Sequence, residues 1–432
     1  MLEELNLKQK LLAITADNVN STLITSLYNK LSVDYEYDDE IDLDFGHLKP
    51  VMRFGGMKSY IRCLAHILNL IVKDILKELK SGTMAEAKAQ FFESSNQQNG
   101  QLSAESAVAK LRLVVLYIAR SPQRRQHWKD LAEKFVQYDV DTRWNSTYDM
   151  IHDALKLKLQ LIQYIKDEPE LEQLILLPQD WELLKQLCDV LKSFSEYTKA
   201  LSEGRPTITT AFGVYFELSD LLKSVTLRTG QWASYHQSIT TAVQAGLVKF
   251  EKYWSLLDNQ LIYYIAAVLD PRIKGLWLQK KLQNGDAIVA KVRQFLCSKY
   301  KLPDSAQTVE SEASEFAKTK TSTQLRMLRE VQSNTISKAN DIDRYFDLPV
   351  VNWDGGDDPD WLIRWWRNNS TEFPLMSLVA RDYLAIQAAE VDVERVFCMG
   401  RDLIGLRRYS MGGETMRVLM LLQAQYRASN VI

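Results

Sequence analysis

The chain has 432 residues, of which 46% are hydrophobic and 25% are charged. This length and composition are typical of a folded protein with two or three structural units, and they exclude a disulfide mini-protein and a disordered chain. Lys and Arg number 53 against 55 Asp and Glu, for a formal net charge of −2. Any contact with nucleic acid must therefore come from a local basic patch.

The cysteines and the N-terminus indicate the cellular compartment in which the protein resides. The 4 cysteines lie far apart with no CxxC pair, which is typical of a reducing environment without a disulfide framework. Glu3 and Glu4 occupy the place where a signal peptide carries positive charge. No apolar run approaches the roughly 20 residues of a membrane span. We therefore expect an intracellular, soluble protein with no membrane contact.

The first predicted elements are two strands and two helices. LLAITADNVN is a short apolar run that ends in polar residues, which predicts a buried strand with Asp17 at its end. STLITSLYNKL has a helical pattern, and the acidic segment 34–45 predicts a surface loop. Gly55 and Gly56 precede a second predicted strand, and residues 67–80 predict an amphipathic helix.

The rest of the chain predicts helices separated by polar segments. Residues 81–107 are rich in Ser, Gln, Asn and Gly, which predicts a polar, mobile loop. Apolar residues recur at steps of three and four through 108–302, which predicts a helical domain. The polar segment 303–340 is interpreted as a linker. In the last part, 341–432, Pro374 is placed to begin a helix.

Three separated stretches resemble hAT-superfamily transposases, the family of the hobo and Activator elements. They are ITADNVNST, then RCLAHILNLIVKDIL with DVDTRWNSTYDMI, and finally FPLMSLVARDYLAIQAAEVDVERVFCMGRDL. YYIAAVLDPRIK between them also fits, so the resemblance spans nearly the whole chain in the family's order. It implies a predominantly helical α+β fold. An incomplete ribonuclease H-like core, 1–80, would be interrupted by a helical insertion, 108–302, and followed by a C-terminal dimerisation region within 341–432.

The resemblance also implies metal-dependent DNA strand cleavage and transfer, in which carboxylates hold Mg²⁺ or Mn²⁺. Asp17 matches the family's second catalytic Asp, and Glu394 in VERVF matches its catalytic Glu, so both are candidate metal ligands. Considered alone, Asp17 is interpreted as a strand-end cap and Glu394 as a helix-surface carboxylate. The first catalytic Asp and the family's zinc finger have no counterpart here. We therefore expect an N-terminally truncated or domesticated copy without zinc.

Further motif residues are candidates for contact with DNA. Cys63 and His66 have metal-ligand spacing, but no second ligand pair stands near them in the sequence. The resemblance implies that His66 contacts the scissile region, and the alternative is a hydrogen-bonded structural histidine. Trp144, next to Arg143, matches a family tryptophan that stacks on a flipped base, and the alternative is a core tryptophan.

Two basic clusters could bind phosphates, although such clusters are often solvated surface. Arg124 and Arg125 lie in ARSPQRRQHWK, and Arg401 follows Glu394. Large apolar side chains near the C-terminus could form a subunit contact or pack within the chain, and the resemblance favours a subunit contact for the two tryptophans among them. They are Trp365, Trp366, Leu419, Leu422 and Tyr426.

The sequence therefore predicts a nuclear, homo-oligomeric, hAT transposase-derived protein that associates with DNA. With one family carboxylate unmatched, we expect this chain to be inactive in strand cleavage. The alternative is a domesticated interaction scaffold or transcriptional regulator, because a fold does not fix a function. A scaffold would need the C-terminal helices but not Asp17 or Glu394.

Overall fold

A computed structural model describes residues 7–17, 21–36, 52–96, 102–140, 144–202, 207–258, 260–301, 340–353, 355, 358, 360–390 and 412–429. Within these ranges helices dominate, and the sheet consists of two short parallel strands. The predicted fold class, α+β and predominantly helical, is confirmed. No described helix is both long enough and apolar enough to cross a membrane.

Both predicted strands are present and lie side by side. β1 (Ile14–Ala16) pairs in parallel with β2 (Tyr60–Arg62), with Ile14 opposite Tyr60 and Ala16 opposite Arg62. Helix α1 (Ser21–Glu36) follows β1, and a 3-10 turn (Gly56–Ser59) leads into β2. Because the strands are parallel, their C-terminal ends lie at the same edge of the sheet.

Helix α2 (Leu64–Glu78) begins directly after β2 and joins the strands to the helical domain. Its Leu64, Leu68, Ile71 and Ile75 are fully buried and belong to a core that extends from Ile61 to Ala389. A Cβ placed on Gly246 would lie 2.8 Å from Ile75 Cγ1, so the glycine permits a close approach of the neighbouring helix. The residues next to β2 are therefore anchored on the helical domain.

The prediction of a polar loop at 81–107 is wrong for residues 84–96, because α3 (Met84–Asn96) lies there. Glu86 Oε2 accepts from the N–H of Thr83 at 2.7 Å, and Thr83 Oγ1 accepts from the N–H of Glu86 at 3.1 Å. This reciprocal pair is a capping box that starts the helix. Met84, Ala87 and Phe91 then bury one face, at helical spacing that the polar composition obscured.

The helical prediction for 108–302 is confirmed in the described residues. The helices are α4 (Ala107–Arg120), α5 (Pro122–Leu131), α6 (Asn145–Lys156), α7 (Lys158–Asp167), α8 (Pro178–Ala200), α9 (Ile208–Thr226), α10 (Gln237–Asp258), α11 (Leu261–Val268), α12 (Lys274–Lys281) and α13 (Gly285–Lys299).

After residue 340 the described part of the chain contains the helices α14 (Asp341–Asp347), α15 (Trp361–Asn368), α16 (Pro374–Tyr383) and α17 (Gly413–Ser429). The predicted helix start at Pro374 is confirmed, because this residue occupies the first turn of α16. The linker predicted at 303–340, except residue 340, lies outside the described residues, as does the acidic segment beyond residue 36.

Candidate active site at the end of the parallel strands

Asp17 directly follows β1, and its backbone is fixed from the neighbouring strand. The Tyr60 hydroxyl donates to the carbonyl oxygens of Ala16, at 3.1 Å, and Asp17, at 2.9 Å. The N–H of Cys63 donates to the Ala16 carbonyl at 3.0 Å. The Asp17 side chain is 51% exposed, so its carboxylate is held at the strand end yet open to solvent.

Glu390 lies beside Asp17, although 373 positions separate them in the sequence. Its Oε2 accepts from the N–H of Asp17 at 3.1 Å, and its own N–H donates to Cys63 Sγ at 3.3 Å. Thr15 Oγ1 also donates to the Gln387 carbonyl at 2.8 Å. Residues 387–390 therefore lie across the ends of both strands.

His66 completes this cluster from the first turn of α2. Its Nδ1 lies 4.0 Å from Asp17 Oδ2, and 19% of its side chain is exposed. Its Nε2 is buried and has no hydrogen-bond partner among the described residues. We call Asp17, His66 and Glu390 the strand-end centre.

Sequence reasoning missed Glu390, although it stands four residues before Glu394 in the same motif. Glu394 itself lies outside the described residues, as do Arg143 and Arg401. Glu390 could have been found only by considering each carboxylate near VERVF as a possible neighbour of Asp17.

The donor set at the strand-end centre suits a hard divalent cation. Mg²⁺ is commonly bound by one or two carboxylates, with waters and substrate phosphates completing its coordination. Asp17 and Glu390 supply two carboxylates within one hydrogen-bonded unit. No group of three or more potential metal ligands occurs among the described residues, so a cation here would depend on substrate oxygens.

A cavity of about 410 Å³ opens beside the strand-end centre, with Glu390 on its wall. Three cationic side chains line it, Lys10, Arg53 and Arg381. Arg53 pairs with Asp382, which also accepts from the Tyr300 hydroxyl at 2.6 Å. Burial and the hydrogen bond to Asp382 raise the pKa of Tyr300, which stays a neutral donor. No sequence motif marks this cluster, because its members are scattered along the chain.

Trp144 lies immediately before α6 and is only 5% exposed. Its ring packs edge-on against Phe194 of α8, with the centroids 6.1 Å apart. In this conformation the indole anchors α6 against α8. Base stacking by Trp144 stays a prediction, and it would require the ring face to be uncovered.

Two arginines of the first basic cluster, Arg124 and Arg125, differ in their surroundings. Arg124 pairs with Glu170 at 2.8 Å and lies 3.5 Å from the centroid of the Tyr117 ring, so much of its charge is already engaged. Arg125 is exposed. Of the two, Arg125 is therefore the more accessible to a phosphate.

The predicted dimerisation residues separate into core and surface. Trp366 is 4% exposed, and its Nε1–H donates to the Leu269 carbonyl at 2.9 Å. Its assignment to a subunit contact is corrected, because this side chain packs inside the chain. Trp365 and Leu419 are half-buried, whereas Leu422 is 56% and Tyr426 69% exposed.

Comparison with known families places three matches along the chain. Residues 61–190 match the ZBED1 RNase-like helical domain, and residues 213–300 match the hAT-like transposase, RNase-H fold. Residues 341–426 match the hAT family C-terminal dimerisation region. The last match includes α14 to α16 and most of α17.

Curated relatives are similar over most of this chain. An AC transposase of Zea mays is 28% identical over 96% of the chain and 48% of its own length. The transcriptional regulator tpeD of Talaromyces stipitatus is 24% identical over 98% of the chain and 46% of its own length. The zinc finger BED domain-containing protein DAYSLEEPER of Arabidopsis thaliana is 25% identical over 69% of the chain and 42% of its own length. The chain thus spans about half the length of these relatives or less.

Proposed function

We propose that this chain, a member of the hAT transposase family, is a nuclear, dimerising protein that binds DNA with a divalent cation at the strand-end centre. The proposal rests on the convergence of Asp17, His66 and Glu390 at the end of the parallel strands. These residues come from three distant parts of the sequence. The family membership and the named relatives, an AC transposase among them, support DNA as the partner.

Asp17 and Glu390 are the described residues that would hold Mg²⁺ or Mn²⁺, together with phosphate oxygens of the DNA. A bound cation of this kind neutralises phosphate charge and polarises the P–O bonds. His66 Nδ1 lies 4.0 Å from Asp17 Oδ2, so the imidazole borders the carboxylate that would hold the cation. Lys10 and Arg381 on the cavity wall would favour the approach of a polyanion, whereas Arg53 is already paired with Asp382.

Binding of cation and DNA is tested by fluorescence anisotropy of a labelled duplex, with and without Ca²⁺ or Mn²⁺. The cation should strengthen DNA binding by the unsubstituted chain. Asp17→Asn should remove that enhancement and leave the DNA binding measured without the cation unchanged. Glu172→Gln is the matched control, because Glu172 is an exposed carboxylate on a separate segment. An undiminished cation response in Asp17→Asn would contradict the proposal.

We further propose that the 432-residue chain binds DNA without cutting it. Two-metal cleavage in this family relies on three carboxylates, and the resemblance matches only Asp17 and Glu394 in this sequence. Incubation with supercoiled plasmid and Mg²⁺ or Mn²⁺ should leave the plasmid closed. Nicking that disappears in Asp17→Asn would show that this chain is a nuclease.

An interaction scaffold or transcriptional regulator is the second candidate. It is favoured by the similarity to tpeD and by the exposed apolar side chains of α17, which suit a protein partner. A scaffold should keep its function in Asp17→Asn and Glu394→Gln but lose it when 413–429 are deleted. A protein that acts by binding DNA with the cation should instead be more sensitive to the carboxylate substitutions than to the deletion of 413–429.

A further inference from the structure

Helix α2 presents a basic stripe to solvent on the side opposite its buried face. His66, Leu70, Lys73, Lys77 and Lys80 follow one another at steps of four and three, which places them along one side of the helix and the turn that ends it. All three lysines are exposed. The stripe begins at the strand-end centre, because His66 belongs to it. We call Lys73, Lys77 and Lys80 the lysine track.

The lysine track borders a cavity of about 720 Å³, here called the basic cleft. Trp144 and Thr147 form another part of its wall. Arg112 also lines it, but this guanidinium is bound to Asp139 at 2.6 Å, and both side chains are nearly fully buried. The charge available to a ligand in the basic cleft therefore comes from the lysines.

Little negative charge opposes the lysine track. Lys73 and Lys77 form no ion pair with another described residue. Lys80 lies 3.3 Å from Glu105, with both side chains more than three-quarters exposed; such pairs contribute little. Glu86, on the rim of the cleft, is occupied in capping α3. The described side chains that line the basic cleft therefore carry more positive than negative charge, although the whole chain is slightly acidic.

The length of the stripe suits a nucleic-acid strand. His66 and Lys77 are eleven residues apart, and a rise of 1.5 Å per residue separates them by about 17 Å. One strand of duplex DNA carries a phosphate per 3.4 Å of axis, so this distance corresponds to about five nucleotides. Lys73 and Lys77, one helical turn apart, can each reach a separate phosphate of the same strand.

We propose that the lysine track binds the phosphates of the DNA strand that leaves the strand-end centre and directs this strand into the basic cleft beside Trp144. This inference rests on the proposed DNA binding and adds the path of the strand. It names α2 as the element that joins the two regions, because the helix carries His66 at one end and borders the cleft at the other.

The test compares two triple variants of the full chain with equal loss of charge. Lys73→Gln/Lys77→Gln/Lys80→Gln removes the lysine track. The matched control, Lys185→Gln/Lys223→Gln/Lys252→Gln, removes three exposed helical lysines on α8, α9 and α10. Binding of a labelled duplex with a single-stranded overhang is measured by anisotropy between about 50 and 200 mM NaCl.

The track variant should bind DNA about tenfold more weakly, and its plot of log K against log salt should be less steep by about 2 to 3. Lys77→Gln alone should reduce the slope by about 1, which guards against a folding defect in the triple variant. The control variant should match the unsubstituted chain. Thermal melts of all variants establish that each is folded.

The possible failures are distinguishable. If the unsubstituted chain binds DNA and the track variant retains its affinity and salt slope, the lysine track is overturned while DNA binding stands. An equal loss in the control variant would also overturn the track, because the effect would be one of net charge. If the unsubstituted chain shows no salt-dependent binding, the proposed function fails and the track fails with it.

Discussion

The backbone N–H of Asp17 donates to Glu390 Oε2 at 3.1 Å, across 373 positions of sequence. This bond joins the end of β1 to the segment that follows α16, and Cys63 supports it by accepting from the N–H of Glu390. A carboxylate from each end of the chain is thereby brought to one strand end. The proposed function depends on this junction.

The first prediction concerns the buried ion pair under the basic cleft. Arg112 donates to Asp139 and also to the carbonyl of Gly82, at 2.7 Å, so α4 is tied to the end of α2. Arg112→Met should destabilise the fold by about 3–5 kcal/mol, because it leaves the Asp139 carboxylate buried without its cation. Urea unfolding followed by circular dichroism measures the change.

Two controls sharpen this prediction. Arg112→Met/Asp139→Asn should recover part of the loss, because the double variant removes the uncompensated charge. Lys80→Ala, which breaks the exposed pair with Glu105, should change stability by less than about 1 kcal/mol. Equal effects of Arg112→Met and Lys80→Ala would contradict the assignment of a buried pair.

The second prediction uses two glycines in long helices. Gly246→Ala should destabilise by about 1–3 kcal/mol, because its Cβ would lie 2.8 Å from Ile75 in the contact between α2 and α10. Gly213→Ala in α9 meets nothing within 4 Å and should stabilise by about 0.5–1 kcal/mol. Thermal unfolding should show a loss of stability for Gly246→Ala and a gain for Gly213→Ala. If Gly246→Ala left stability unchanged, α2 would lie farther from α10.

The third prediction is a pH dependence from Lys274, which is 6% exposed. Its Nζ donates to the carbonyls of Tyr345, at 2.8 Å, and Leu348, at 3.0 Å. Burial lowers its pKa to about 8 from the ordinary 10.5. Between these values the unfolded chain binds more protons than the folded one, so this group makes stability rise with pH in that window.

The measurement is the urea midpoint at about pH 7.5 and about pH 9.5, a pair of values on either side of the folded pKa. Lys274→Met should remove the rise in stability that this group contributes. The free energy of unfolding of the variant, relative to that of the parent, should therefore fall as pH increases. A difference that stays constant with pH would contradict the lowered pKa. Using the difference cancels the contributions of the other titrating groups.

The fourth prediction concerns the exposed face of α17. Leu422→Ser/Tyr426→Ser should weaken self-association by at least about tenfold, because large apolar side chains dominate subunit contacts. Leu159→Ser on α7 is the control, since Leu159 is 79% exposed but lies outside the matched dimerisation region. Sedimentation equilibrium measures the self-association of both variants. A dimer unaffected by the α17 substitutions would place the contact elsewhere.

Much of the fold could be predicted from the sequence because its signals are local. A short apolar run indicated the first strand and a glycine pair the second, helical periods indicated the helices of 108–302, and Pro374 indicated the start of α16. The prediction of a loop at 81–107 failed at α3, because the polar composition concealed Met84, Ala87 and Phe91 at helical spacing. The capping residues Thr83 and Glu86 were the missed signal.

The candidate site was less predictable because it is assembled from distant segments. Asp17 and His66 were found through motifs, and the structure brings them within 4.0 Å. Glu390 was missed, since no periodicity distinguishes a carboxylate that reaches across 373 positions. Trp366 was assigned to a subunit contact through the family resemblance, whereas its burial and its hydrogen bond to the Leu269 carbonyl show that it packs inward.

The most direct test of the central claim is a crystal structure of the chain with a DNA duplex and Mn²⁺, in which anomalous scattering locates the metal. The account predicts Mn²⁺ at about 2.0–2.6 Å from an oxygen of the Asp17 carboxylate, with a DNA phosphate as a further ligand. Mn²⁺ bound to the DNA elsewhere, with no metal at Asp17 or Glu390, would contradict the claim that the strand-end centre binds DNA with a divalent cation.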